Sequence, residues 1–291
     1  DSFDIGANRA GGDGYLNGYV DEFRIVASAV YSGAIFTPAH HQFFPTQEHV
    51  ITSNDNYADQ VELLLHFEEA NGSNLVDSSK SDYTVTLNQD GALDSSTSRF
   101  GSKSLSIPRL SGNSSSYGAK VNSNGSLNLT GDYTVEMYFK LNSEPDNQGR
   151  VLFETSSNTA AYGPIGKMQI KINNHSQENL TVVWQGNMLG ITTNAVTINN
   201  WHHIAIVKSG NDCTCYLNGI SLLTKNIDAN DNTTVSGDIY IGGAANGSLA
   251  LDGVIDELRI TNGIARYTAN FTPQNSAFGS EPVPVPEPQY I

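Results

Sequence analysis

Carboxylates, paired histidines and aromatics among amides are the side chains in this sequence whose types could make a site. Asp256, in LDGVIDELRIT, alternates onto the face that also carries Val254, Leu258 and Ile260. Asp21 in LNGYVDEFRIV repeats the arrangement beside Tyr19, Phe23 and Ile25. A carboxylate on an apolar face stays charged only if a cation or several N–H donors surround it. His202 and His203 in WHHIAIVK have the type of general bases or metal ligands. Neighbouring strand residues point to opposite faces, however, so the two do not converge on one ligand. Sugar recognition needs an aromatic platform beside amide and carboxylate groups. Tyr117, Tyr162 and Trp184, near Asn-rich loops, are the candidates, although none stands out by spacing and Trp184 reads equally well as core.

Other pairs read as inert. A glycosidase needs two carboxyl groups about 5 to 9 Å apart across a cleft. The adjacent pairs Asp21-Glu22, Glu68-Glu69 and Asp256-Glu257 would point to opposite faces of a strand. Glu257 and Arg259, like Glu22 and Arg24, lie two apart and are expected to form same-face ion pairs of small worth if exposed. Cys213 and Cys215 share a strand face, a poor geometry for a mutual disulfide, and read as free, small core residues.

The elements that must position these groups are strands. In YTVEMYFKL, Val135, Met137, Phe139 and Leu141 face one way and Thr134, Glu136, Tyr138 and Lys140 the other. VELLLHF, KMQIKI, WHHIAIVK and CTCYLNG alternate likewise, with turn clusters such as NSEPDNQG and SGND between them. Period two over many segments, each with one apolar face, predicts an all-β antiparallel protein built as two sheets packed face to face. The segment TNGIARYTANFTP is expected to make a short helical turn and then an extended strap.

Thirty acidic against 15 basic residues give a net charge of -15 with no Lys/Arg cluster. Binding to nucleic acid or to an anionic membrane surface is therefore disfavoured. Charged residues are only 15% of the chain, and Gly, Ser, Thr and Asn are abundant, a composition of extracellular or particle-surface β-proteins. No apolar run approaches the roughly 20 residues that span a bilayer, so membrane insertion is not expected.

The strip at 16–26 recurs at 251–261, and the spacing from Arg24 to Phe36 in IFTP equals that from Arg259 to Phe271 in NFTP. Such a repeat outranks shorter motifs. Residues 1–45 are read as the C-terminal remnant of a preceding repeat, 46–59 as a polar linker, 60–279 as one complete domain and 280–291 as a stiff Pro-rich spacer. The chain is expected to be a piece of a longer repeat protein.

In order along the chain stand LLLHFEE, NGSNLVDSS, RFGSKSLSI, GDYTVEMYFK, NNWHHIAIVKSG, YLNG, IYIGG and LDGVIDELRITNGIARYTANFTP. This series resembles laminin-G-like members of the concanavalin A-like lectin/glucanase superfamily, and residues 1–45 resemble the same family's C-terminal fifth. The resemblance implies a jelly-roll β-sandwich that hosts lectins, adhesion modules and glycanases alike. The glucanases' Glu-x-Asp-x-x-Glu pattern is absent, so no catalysis is expected. Many domains of this fold hold calcium through Asp side chains and carbonyls. The resemblance points to Asp77 and Asp256 for such a site, with a hydrogen-bond anchor as the open alternative. The DE-x-R strand followed by ARYTANFTP is similar to repeats of bacteriophage structural and bacterial surface proteins. The expected function is a non-enzymatic virion-surface module, a homo-oligomer bound to other virion or appendage subunits, that takes host-surface glycans. A purely architectural repeat or a bacterial adhesin is the alternative.

Overall fold

The computed structural model describes residues 55–70, 74–109, 117–146, 148–156, 168–173, 180–184, 187–191, 196–226 and 235–279. The first repeat copy with Asp21 and Arg24, the tail after 279, and Tyr162 lie outside the described residues.

The strands are β1 (Val61–Leu65), β2 (Thr84–Leu87), β3 (Ala92–Asp94), β4 (Ser104–Ile107), β5 (Ala119–Asn122), β6 (Asn128–Leu129), β7 (Tyr133–Leu141), β8 (Arg150–Ser156), β9 (Met168–Ile172), β10 (Leu180–Trp184), β11 (Asn187–Ile191), β12 (His202–Ser209), β13 (Asp212–Leu217), β14 (Ile220–Asn226), β15 (Val235–Ser236), β16 (Asp238–Ile241) and β17 (Gly253–Asn262). One sheet runs β14-β13-β12-β7-β17-β4-β3, with β1 also on β17. The other runs β11-β10-β9-β8-β16-β5-β2, and β6 pairs with β15 apart from both. The pairings are antiparallel. Leu63, Leu105, Val135, Phe139, Ile204 and Ile255 of the first sheet meet Val121, Phe153, Ile170, Val182 and Ile239 of the second in one core. The protein is the antiparallel β-sandwich that the alternation predicts. Cys213 and Cys215 are free and buried in that core, where burial pushes the Cys213 thiol up to about 12 and keeps it an inert apolar group.

The outer face of the first sheet is covered. Residues 264–279 cross it as an extended strap without the expected helical turn. Asn218 and Gly219, both at positive φ, close the β13–β14 hairpin, the two-residue turn that Asn-Gly favours. The strap's Phe271 N–H donates to the Gly219 carbonyl at 2.9 Å. A Cβ at Gly219 would stand 1.9 Å from the Phe271 oxygen, so the strap requires glycine here. Tyr267 and Phe271 stack at 3.5 Å and, with Ala265, pack on Ala205, Val207 and Tyr216. Further along, Phe278 joins Val61, Leu64 and Tyr138. Trp201 sits half-buried against this second cluster, so it supports the strap rather than the central core.

Strand β17 departs from simple alternation. Its register on β7 slips between Asp256 and Arg259, and Glu257 has φ of 51°. The extra residue of this bulge resets the side-chain period. Ile255, Leu258 and Ile260 all reach the core, whereas Asp256 turns to the strap side. The expected placement of Asp256 beside Leu258 and Ile260 is thereby corrected.

Candidate functional site

Beneath the strap lies a buried charge network. Glu136, fully buried on β7, accepts from Arg259 Nε at 2.9 Å and from Tyr267 Oη at 2.8 Å, and its Oε2 lies 3.1 Å from His203 Nε2. Asp55, inside the stretch read as linker, accepts from Arg259 Nη1 at 3.0 Å and from both terminal nitrogens of Arg266. Burial alone would raise the Glu136 carboxyl, but the Arg259 charge and the His203 contact outweigh it and hold the group well below the usual carboxylate range. The expected pairing of Glu257 with Arg259 does not form. Glu257 instead binds His66 Nδ1 at 2.9 Å and accepts from the Phe278 N–H at 2.8 Å. The bulge also puts Asp256 and Glu257 on one side of the sheet, contrary to the expectation that they diverge. Both are buried and engaged, so they offer no open catalytic pair. The strap lies over this network, in which Asp256 Oδ1 is buried without a hydrogen-bond partner among the described residues.

The second sheet has a half-buried outer face. Since Ala119, Val121, Ile239, Ile241, Met168 and Ile170 point into the core, the residues between them point out. The registers Thr86↔Lys120, Lys120↔Tyr240, Tyr240↔Glu154 and Glu154↔Gln169 align five such residues in one row across β2, β5, β16, β8 and β9. At about 4.8 Å per strand the row is roughly 19 Å long. Tyr117 stands edge-on to Tyr240, with centroids 5.0 Å apart and planes at 89°, making an aromatic corner. Lys120 Nζ pairs with Asp238 Oδ2 at 2.8 Å and lies 5.7 Å from the Tyr240 ring centroid. Asp238 also accepts the Ser123 N–H, and Glu154 accepts from Gln169 Nε2 and from the Ala245 N–H. The hydrogen bond to Asp238 outweighs burial and raises the Lys120 pKa, while burial raises that of the Tyr240 phenol. Lys120 is therefore held as a cation and Tyr240 as a neutral hydroxyl. All but Glu154 are only half-buried.

Of the residues expected at a sugar site, Tyr117 is on this face. Trp184 lies on β10 in register with Met168, its side chain outside the described part of the structure. Tyr240, Lys120, Glu154 and Gln169 are missing from the sequence expectation, although the alternation in IYIGG marks Tyr240 as outward-facing. The register also places Asp238 diagonally to Glu154, a spacing of about 7 to 8 Å along the diagonal and somewhat less between Cβ positions. Both carboxylates are held by partners, Asp238 by Lys120 and the Ser123 N–H, Glu154 by Gln169 and the Ala245 N–H.

Asp77 and Asp256 bind protein donors. Asp77 accepts from the N–H groups of Leu64, Ser79 and Tyr83 and from Ser79 Oγ, tying the 77–83 turn to β1. Asp256 Oδ2 accepts from the N–H groups of Arg99 and Phe100 at 2.7 and 3.1 Å. Among the described residues no three His, Cys, Asp or Glu side chains gather as for a metal. These donor sets suit hydrogen-bond anchors better than calcium ligands. A chelator is expected to leave the melting temperature unchanged; a fall that Asp77→Asn or Asp256→Asn abolishes would establish calcium instead.

Residues 111–266, more than half of the chain, match the family model of the laminin-G type described as concanavalin A-like lectin/glucanases superfamily. The chain belongs to that superfamily. No curated protein matches it. Among solved structures, this superfamily member is similar to the binding domain of Paraclostridial Mosquitocidal Protein 1, with 19% identity, TM-score 0.50, and 71% of this chain and 49% of that one covered. It is also similar to domain 4 of AbnA, a GH43 extracellular arabinanase from Geobacillus stearothermophilus, in complex with arabinotriose, with 17% identity, TM-score 0.50, and 70% and 93% covered. A third is the botulinum neurotoxin serotype D ligand-binding domain in complex with N-acetylneuraminic acid, with 15% identity, TM-score 0.51, and 74% and 49% covered. The chain spans about half the length of the two toxin domains. At these identities the likeness establishes the fold of this lectin-like sandwich alone.

Proposed function

We propose that this chain is a non-enzymatic carbohydrate-binding module that takes a glycan along the row Thr86, Lys120, Tyr240, Glu154 and Gln169. The observation that carries the reading is the contrast between the two outer faces. One is sealed by the strap over a buried charge network, and the other aligns a half-buried aromatic corner with hydroxyl, amide and carboxylate groups. A sugar has an apolar C–H face and a hydroxyl edge, which that row complements. The structures of the arabinanase domain and the toxin domain, of the same fold, are complexes with arabinotriose and N-acetylneuraminic acid.

The setting we infer is the exterior of a particle or cell. The resemblance to phage repeats supports a virion-surface module contacting other subunits, with residues 1–45 as the end of a preceding repeat, 46–59 joining it to a domain at 60–279 whose charge network already takes in Asp55, and 280–291 as a spacer. In a homo-oligomer of such repeats, affinities of roughly millimolar to micromolar per domain suffice through effective concentration.

Tyr240→Ala is expected to weaken binding to a glycan-array hit about tenfold or more, a loss of about 1.4 kcal/mol, without lowering the melting temperature appreciably. An array blank for the wild type would favour the architectural reading. Hydrolysis of a bound polysaccharide, abolished by Glu154→Gln, would overturn the non-enzymatic part.

A further inference from the structure

We infer that this face reads uncharged glycans and that Asp238 sets the preference by holding the Lys120 ammonium. The inference rests on the carbohydrate-binding reading above and names its ligand class.

Among the described residues, the charges acting on Tyr240 are Lys120, Asp238 and Glu154. Lys120 is the cation beside Tyr240, and Asp238 Oδ2 sits 2.8 Å from its Nζ. Asp238 is itself oriented by the Ser123 N–H, so the pair is fixed from the backbone. On the other side of Tyr240 stands Glu154, held by Gln169 and the Ala245 N–H. A sugar carboxylate stacked near Tyr240 would meet two carboxylates and an ammonium already neutralised, on a chain of net charge -15. Coulomb repulsion acts against it within the Debye length, about 10 Å at 0.1 M salt. A neutral sugar meets the opposite situation. Its hydroxyls can donate to the remaining lone pairs of Glu154 and Asp238, since a carboxylate offers about four acceptor sites. They can also accept from the Tyr240 phenol and donate to the Thr86 hydroxyl oxygen, whose own proton goes to the Lys120 carbonyl at 3.5 Å. Discrimination of this kind works through the unfavourable contact offered to the wrong ligand.

The test is a glycan array of matched neutral and sialylated oligosaccharides, followed by calorimetry on the tightest pair at two salt concentrations. Wild type should bind the neutral member about fivefold or more tighter, with the gap narrowing at high salt. Asp238→Asn keeps an acceptor for the Ser123 N–H while releasing Lys120, and should close or invert the gap. Asp212→Asn, which removes the same unit of charge from an exposed position on β13, should leave it intact. Equal melting temperatures for the three proteins exclude misfolding. Tighter binding of the sialylated member by wild type, or a gap that Asp238→Asn leaves unchanged, would overturn the inference and spare the carbohydrate reading. Binding to neither member anywhere on the array would overturn both.

Discussion

Replacing Arg259 with alanine is expected to lower the unfolding free energy by about 3 to 5 kcal/mol, the usual cost of leaving a buried charge without its partner. Arg259 is 2% exposed, and its guanidinium spans Glu136 and Asp55 while lying 4.0 Å from the centroid of the Phe278 ring. Its loss would leave the buried Glu136 carboxylate with Tyr267, His203 and the more distant Arg266, 3.8 Å away, and without its nearest guanidinium. Urea denaturation at pH 7 measures this, and a cost below about 1 kcal/mol would mean that the network is not closed to water. The double change Glu136→Leu with Arg259→Met should recover part of the loss, because a matched apolar pair often replaces a buried ion pair at little cost. Since the folded Glu136 carboxyl is depressed, its contribution is present above the usual carboxylate range. It is lost as pH falls through its lower, folded value.

Asp256 should give the opposite pH dependence. Burial, with the nearby Glu257 charge, pushes its carboxyl up to about 7 despite the two backbone N–H donors. A group raised in the folded state binds a proton there that the unfolded chain releases. Stability from this residue is therefore full below about pH 4 and falls toward pH 7, by up to about 1.4 kcal/mol per pH unit. Asp256→Asn keeps an acceptor for Arg99 and Phe100 and removes the titration. Its stability should be flatter between pH 4 and 7 and should exceed that of wild type at pH 8. His66, pulled down by burial but raised overall by Glu257 and in part by Asp256, adds a further loss as pH rises from about 6.5, which the Asn variant should retain only in its Glu257 part. Asp256→Ala, which takes the acceptor away, should cost about 1 to 3 kcal/mol. A wild-type profile as flat as that of the Asn variant would show that the carboxyl titrates normally.

Local alternation was enough to read the architecture. In YTVEMYFKL the inward set of Val135, Met137, Phe139 and Leu141 follows from a period of two that depends on no distant residue, and the Asn218-Gly219 turn follows from backbone preference alone. Aromatic type likewise singled out Tyr117, which the structure sets edge-on to Tyr240. The side-chain direction of Asp256 was not legible, because the bulge at Glu257 is held by His66 and Phe278, contacts distant in sequence. Nor did the sequence distinguish the two outward faces. Glu136 and Tyr240 both read as outward residues opposite an apolar set, yet a strap from beyond β17 buries the first and leaves the second half-open. The row from Thr86 to Gln169 exists only through pairing between strands far apart in the chain. A strand's period is a property of its own backbone, whereas register, burial of the second face and partnering of charges are properties of what packs against it, and those only the assembled sandwich decides.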